Sequence, residues 1–351
     1  MGIEASKTTI DELHFSVQLL ASLRETSKLL TTHYSTQIEG NALGAEQVKQ
    51  VIVSDSRFAG RKRDEREVLN YYRALGYVEQ IVREDAAICE RKIQTIAMLV
   101  NSGKSQPKPY RDGQNVIRNS KTNSIVYMPP RATDVPQLMA SLVAWISENI
   151  ASKLLPIPIV AGLAHYQFAT IHPYFDGNGR TARLLVSWIL QKTGYGLKGI
   201  YSLEEYYAKN LPAYYLAMNI SENHNYYDGR ADADITPFLE YFCGSMAIAF
   251  QNVEVRAKKE ISCNAVEGGI SQKILLPEQR QVLALFEKHS IVTAGDIARE
   301  LRVSDRQARA YCKRWAESGF LVIADQSKRL RRYALSGNFG QGNRSIHLEI
   351  R

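Results

Sequence analysis

The stretch HPYFDGNGRTAR, from His172 to Arg183, gathers the groups in this chain whose types and spacing could do chemistry. His172 is a titratable base, ordinarily with a pKa of about 6.5, suited to taking a proton from an alcohol. Asp176, four residues on, offers hard carboxylate oxygens of the kind that hold Mg²⁺ beside phosphates. Gly177, Asn178 and Gly179 form a turn directly before an expected helix. Converging N–H groups and the positive end of that helix suit an anion. Arg180 and Arg183 stand one turn apart with Thr181 and Ala182 between them, so both guanidinium forks leave one face and could clamp outer phosphates. Each device alone has a plain structural explanation: a packed histidine, a common loop, a solvated arginine face. Their coincidence points to a bound nucleotide. No G-x-x-x-x-G-K-[ST] occurs, which argues against an ordinary P-loop ATPase.

The elements that must position these groups are mostly helical. Apolar residues recur at three- and four-residue spacing over 9–32, 46–54, 63–82, 91–100, 135–150, 157–171, 203–220 and 236–255, and a long helix should follow DGNGR to about Lys192. The segment STQIEGNAL reads as a polar turn between the first two. Residues 101–131 hold prolines and glycines, and within them NVIRNSKTNSIVYM alternates about a polar centre as a β-hairpin does. Residues 258–276 are weakly patterned, as in a linker. Beyond them the order is helix (278–288), short helix (294–301), helix (305–318) and two strands, LVIA and RRYALS, about the basic turn DQSKRL, which is the order of a winged helix-turn-helix. Arg306, Arg309, Lys313 and Arg314 on its third helix, with Lys328, Arg329, Arg331 and Arg332 near the wing, would suit DNA phosphates or simply solvate a protein-binding face.

Length and composition fit this plan. The chain has 351 residues, more than one core usually holds, so two or three domains are expected: an N-terminal helical region at 1–60, a core at 61–257, the linker at 258–276, the winged module at 277–337 and a tail at 338–351. Lys plus Arg number 44 against 36 Asp plus Glu, a mild basic excess compatible with phosphate-bearing ligands. The four cysteines lie far apart with no C-x-x-C pair, which argues against a disulfide scaffold or structural zinc. The N-terminus lacks the apolar core of a signal peptide, and no apolar run of about 18 residues exists, so no membrane partner and a cytoplasmic location are expected.

The string from His172 to Arg183 resembles the signature of the Fic (filamentation induced by cAMP) family, H-x-F-x-(D/E)-G-N-G-R-x-x-R, with Tyr174 standing where phenylalanine is usual. An inward-packed Tyr174 would need a partner for its hydroxyl or an edge position. AHYQFATIHPYFDGNGRTARLL, the hairpin followed by YMPP, and EVLNYYRAL also look like Fic segments, so the resemblance covers roughly residues 30–250. It implies a mainly α fold: a Fic-type helical core with a β-hairpin flap, here followed by the winged helix-turn-helix (α/β) domain. It also implies a protein adenylyltransferase that moves AMP from ATP, with Mg²⁺, onto a Tyr, Thr or Ser hydroxyl of a target protein not identifiable from the sequence. His172 would deprotonate that hydroxyl and Asp176 would hold the metal. Gly177 to Gly179, with the Asn178 side chain, would stabilise the α-phosphate charge, Arg180 and Arg183 would bind the outer phosphates, and Thr181 and Ala182 between them would belong to the same nucleotide-binding stretch. Residues 115–128 would be the flap that aligns the target by strand-like pairing. Tyr214 and Tyr215 resemble tyrosines that lie near the nucleotide base, and relatives suggest a homodimer and self-modification.

A second short string, Ser35-Thr36-Gln37-Ile38-Glu39-Gly40-Asn41, resembles the Fic inhibitory pattern (S/T)-x-x-x-E-(G/N). Ser35 and Glu39 share a helix face at i, i+4, and Gly40 is a helix stop. The resemblance implies that Glu39 pairs with Arg183 and blocks productive ATP binding within the same chain. The rival readings are a Fic-fold transferase using another donor such as UTP or CDP-choline, an enzyme that removes AMP, and a nucleotide-sensing DNA-binding regulator.

Overall fold

The computed structural model describes residues 2–118, 122–219, 225–228, 233–267, 277–286, 289–318, 320–325 and 331–336. They are mainly helical and fall into two units, one of residues 1–14 and 23–260 and the other of residues 15–22 and 261–351. In chain order the elements begin with α1 (Gly2–Glu12), α2 (Val17–Ile38), α3 (Ala45–Ser54), α4 (Lys62–Arg83) and α5 (Glu90–Ser102). The hairpin strands β1 (Ile117–Arg118) and β2 (Ile125–Tyr127) come next, then α6 (Val135–Ser152), α7 (Ile157–Ile171) and α8 (Asn178–Lys192). They are followed by α9 (Leu203–Lys209), α10 (Leu211–Met218) and α11 (Thr236–Glu267).

Helix α7 is apolar on nearly every side, and such a helix must be buried. Val160, Ala161, Ala164, Phe168 and Ile171 are fully enclosed. Pro158 in its first turn costs no hydrogen bond, because those N–H groups have no helical acceptor. Against α7 lies α8, whose Leu184, Leu185, Trp188 and Ile189 are equally buried, and α4, α5 and α6 complete the packing around the pair. Burial of this kind is worth about 1.5–3 kcal/mol per large apolar side chain. The loop joining α7 to α8 is therefore held between two closely packed helices, and that loop is HPYFDG.

Three departures from the sequence pattern have physical causes. Helix α2 continues through Ile38 rather than yielding to a turn at Ser35, because its last turns bury Thr31, Thr32, Ser35 and Thr36 in place of apolar residues. Thr36 Oγ1 donates back to Thr32 O at 2.9 Å, so a polar stretch satisfies itself inside a helix. The single helix expected over 203–220 is broken at Asn210, the residue before the Leu211-Pro212 start of α10. Helix α11 runs to Glu267, well into the expected linker, and Glu254 with Lys258 forms an i, i+4 pair at 2.6 Å along it. The remainder of that linker, 268–276, lies outside the described residues, as do the hairpin tip at 119–121, Lys328, Arg329 and the tail from 338. Strands β1 and β2 pair antiparallel, Ile117 with Tyr127 and Arg118 with Ile125.

The second unit contains α12 (Pro277–Phe286), β3 (Val292–Thr293), α13 (Ala294–Leu301), α14 (Asp305–Glu317), β4 (Leu321–Asp325) and β5 (Arg332–Leu335). Its antiparallel sheet has the order β3-β5-β4, and the short β3 is absent from the sequence reading. Val282, Ile297, Ala308, Cys312, Trp315 and Phe320 form its core. Thr293 caps α13 with a reciprocal bond to Asp296, and Ser304 caps α14. Arg306, Arg309, Lys313 and Arg314 are exposed on α14.

Candidate active site

His172 terminates α7 in a left-handed conformation, φ 52° and ψ 58°, its N–H still bonded to Phe168 O at 3.0 Å. Left-handed backbone at a residue with a Cβ costs about 1–2 kcal/mol, so the surroundings must enforce it. Arg111 does part of this: its backbone N–H donates to Pro173 O at 2.9 Å and its Nε to His172 O at 3.0 Å. The His172 Nδ1 lies 3.3 Å from Ala169 O. A carbonyl only accepts, so Nδ1 carries the proton and Nε2 keeps its lone pair. Burial lowers the imidazole pKa to about 4, with the Ala169 bond opposing and the Arg111 charge assisting. At neutral pH the ring is an uncharged base.

The turn after it is built around Asn178. Its Oδ1 accepts from Tyr174 N at 2.9 Å and its Nδ2 donates to Tyr174 O at 2.7 Å, so both ends of the amide are committed to the loop backbone. In this arrangement the Asn178 side chain braces the loop rather than facing a ligand, which leaves the backbone N–H groups at the start of α8 as the candidate donors. Thr181 and Ala182 are fully enclosed, and Thr181 Oγ1 donates to Gly177 O at 2.7 Å, closing the first turn of α8. Tyr174 is also fully enclosed, yet its hydroxyl has no hydrogen-bond partner among the described residues. Neither the partner nor the edge position expected for it is found among the described residues. The Lys108 ammonium sits 5.0 Å from its ring centroid instead.

Gly177 occupies a position only glycine fits. Its φ is 82°, and an added Cβ would come within 2.7 Å of Asn101 Nδ2. That amide cannot step aside freely, since it donates to Ala97 O at 2.8 Å and to Asp176 O at 3.1 Å. Gly177→Ala should therefore cost about 2 kcal/mol or more, from left-handed strain plus the clash. Thermal melts will show a lower Tm, and adding Asn101→Ala should recover only the clash portion. An unchanged Tm for the single variant would refute the close fit.

The Asp176 side chain is 73% exposed, with Oδ1 accepting from Gly177 N at 2.7 Å and lying 3.3 Å from Arg180 Nη2. Arg180 itself is buried, and its Nε has no partner among the described residues, an unmet donor suited to an anion. Among the described residues no cluster of three or more His, Cys, Asp or Glu could hold a metal. An exposed single carboxylate nevertheless fits Mg²⁺, which takes one or two protein oxygens and otherwise keeps water and substrate phosphates.

Arg183 is buried and two of its guanidinium nitrogens are engaged. Nε donates to Ser35 Oγ, and Nη2 to both Ser35 O and Glu39 Oε1, each at 2.9 Å. Burial disfavours its charge, but the Glu39 carboxylate together with the Tyr214 and Tyr71 hydroxyls outweighs this and raises the guanidinium pKa. Glu39 Oε1 also lies over the turn: a Cβ on Gly179 would be 2.5 Å from it. The structure thus brings Ser35 and Glu39, at the end of α2, onto the second arginine of the α8 start.

Tyr214 is enclosed, its hydroxyl 2.9 Å from His165 Nε2 and its ring stacked 4.9 Å from Tyr207. In this arrangement Tyr214 lies enclosed beside Arg183, so a place next to a nucleotide base would require that enclosure to open. Tyr215 is exposed and donates to Ile38 O at 3.2 Å, at the foot of α2. Residues missed from sequence include His165, whose pKa burial pushes down to about 3, and Arg111, Asn101 and Lys108, which reach the loop through its carbonyls. Backbone acceptors leave no signature in a motif.

The Fic/DOC family profile matches residues 86–190, which include the whole of the loop and its flanking helices α7 and most of α8. The chain is 27% identical over 195 residues to the protein adenylyltransferase Fic of Drosophila willistoni, and equally so to that of Drosophila melanogaster. Those matches take in 55% of this chain but only 38% of the relatives' own length. In fold it resembles a Fic family protein from Desulfovibrio desulfuricans G20, at TM-score 0.57 and 23% identity over 98% of this chain and 97% of the other. A Fic domain containing signaling protein from Bacteroides thetaiotaomicron VPI-5482 aligns at TM-score 0.64 and 22% identity, over 74% of this chain and 97% of that one. Fic-1 from C. elegans aligns at TM-score 0.58 and 21% identity, over 74% and 71%. The neutral histidine, the glycine turn and the paired arginines accordingly lie in a Fic domain, homologous to those of Fic protein adenylyltransferases and of solved Fic structures.

Proposed function

We propose that this chain transfers AMP from ATP to a Tyr, Thr or Ser hydroxyl of a protein, and that Glu39 restrains the transfer by occupying Arg183. One observation carries the reading: a neutral, inward-held imidazole and two buried arginines flank the same glycine turn, and one arginine is filled by a carboxylate from α2. The relatives' name, protein adenylyltransferase, supports the same assignment.

The chemistry follows from the groups present. His172 Nε2 takes the proton of the target hydroxyl, whose oxygen attacks the α-phosphorus. The bond from that phosphorus to the bridging oxygen breaks and pyrophosphate leaves. Backbone N–H groups at the start of α8 meet the charge that builds on the α-phosphate, where fixed dipoles need no reorganisation. Arg180 and Arg183 hold the outer phosphates, so the leaving group is neutralised as it departs. Mg²⁺, held by Asp176 and the phosphates, would supply further charge neutralisation. The outer phosphate and the Glu39 carboxylate compete for one guanidinium fork, so productive binding requires Glu39 to move away.

Donor labelling tests the assignment. ATP labelled at the α-phosphate should label protein in a Mg²⁺-dependent way, with release of pyrophosphate, while γ-labelled ATP should leave protein unlabelled. Labelling from the γ position would make the enzyme a kinase. Labelling from UTP or CDP-choline but not ATP would assign another donor, and loss of AMP from a premodified protein without labelling would assign the reverse reaction.

A further inference from the structure

Arg111 is 3% exposed, and among the described residues no carboxylate pairs with it. Its guanidinium is spent on backbone carbonyls from separate segments: Nε on His172 O at 3.0 Å, Nη1 on Gly113 O at 3.0 Å, and Nη2 on Pro130 O. Gly113 and Pro130 are the two sides of the base of the hairpin, since β1 and β2 lie between them. His172 is the residue at which α7 ends in left-handed backbone. A buried cation without a counter-ion is costly, and burial lowers the pKa of Arg111 accordingly. Neutral amides already brace the same region: Gln114 Nε2 donates to Pro129 O at 3.0 Å and Asn115 Nδ2 to Tyr174 O at 3.3 Å. Simple bracing would not need a charge. A rigid planar fork serves the three carbonyls from three separate nitrogens, whereas a lysine ammonium would have to draw all three to one atom.

We propose that Arg111 is a positioning residue for the transfer, tying both sides of the hairpin base to the His172 peptide so that a protein segment held on the hairpin meets an imidazole of fixed direction. This rests on the AMP-transfer reading above. Because Arg111 holds the peptide rather than the ring, its loss should free the ring's direction and tautomer before it disturbs nucleotide binding. The charged groups facing His172 are Arg111, Glu39 and Asp176, and Arg111 alone opposes protonation.

The experiment compares Arg111→Lys and Arg111→Met with the parent, each also in the Glu39→Gly chain, after melts establish which fold. Histidine-selective ¹⁵N NMR, with the His172 signals assigned by His172→Gln, reads the ring without ATP or target. The parent should show one fixed Nδ1–H tautomer and titrate near pH 4. Arg111→Lys should keep a low midpoint but average the two ring nitrogens, because charge is retained and the fork is lost. Arg111→Met should average them and also raise the midpoint. In labelling, both should slow turnover tenfold or more with KM for ATP unchanged. Folded variants that keep the fixed tautomer and label within twofold of the control would overturn the proposal. Failure of both variants to fold would also overturn it, by giving Arg111 a role in the fold alone. If the Glu39→Gly chain transfers no AMP while the Arg111 variants still free the ring, the AMP-transfer reading falls and the positioning by Arg111 stands.

Discussion

With α-labelled ATP, the Glu39→Gly chain is expected to label protein about 10–100-fold faster than the parent. The size follows from what one contact can withhold. A coupling of about 1–3 kcal/mol between two sites changes an equilibrium roughly 5–150-fold, and the Glu39 bond to Arg183, at 2.9 Å and on a buried guanidinium, belongs toward the upper part of that range. Removing the carboxylate does not leave Arg183 loose, because Ser35 Oγ and Ser35 O still accept from it. It does leave a buried cation short of a counter-ion, so the free variant should melt below the parent by an amount equivalent to about 1–3 kcal/mol. Added ATP should restore more Tm to the variant than to the parent, since phosphate now supplies the missing charge. These two signs together separate a brake from a mere ion pair. A variant that melts lower but labels no faster would mean that Glu39 stabilises α2 and restrains nothing.

The chemistry was more legible in the sequence than its support. Twelve consecutive residues place the proposed base, the proposed metal ligand, the glycine turn and the arginines by local geometry alone, because a helix start and a tight turn have few conformations. Ser35 and Glu39 were also legible, being one helical turn apart, although the arginine they meet lies 144 residues beyond Glu39. What hydrophobic periodicity hides is polar burial. The end of α2 buries threonines and serine, so its pattern looks like a turn while Thr36 closes hydrogen bonds inside the helix. The same blindness affects Tyr214, whose enclosed hydroxyl meets His165, a residue that reads as one more position on an apolar helix. Arg111 is the extreme case. It stands in a loop with no motif around it, and its partners are main-chain oxygens of residues 113, 130 and 172, which any side chains would provide. Such contacts become visible only when the topology has brought the segments together.

His172→Ala, made in the Glu39→Gly chain, should lower AMP transfer by about 10²–10⁴-fold, the span expected for loss of a positioned general base. Binding of ATP should change little if, as proposed, the α8 start and its arginines hold the phosphates rather than the imidazole. The pH profile adds a sharper test of the same residue. Burial lowers the His172 pKa to about 4, and the base works only when unprotonated. Transfer should therefore stay flat from about pH 8 down to about 5 and fall only as pH passes through 4, whereas an ordinary imidazole would lose activity near 6.5. Stability carries the matching sign. Below about 6.5 the unfolded chain protonates its histidines while folded His172 and His165, with pKa values near 4 and 3, resist. Each histidine then removes up to about 1.4 kcal/mol per pH unit as acid is added, down to its folded pKa. His172→Ala deletes one of these contributions, so its melting temperature should fall less steeply between pH 6.5 and 4.5 than that of its background. A profile with its acid limb near 6.5, and no difference in that slope, would place the imidazole in water and refute its burial, whereas activity kept by His172→Ala would remove the base from the mechanism.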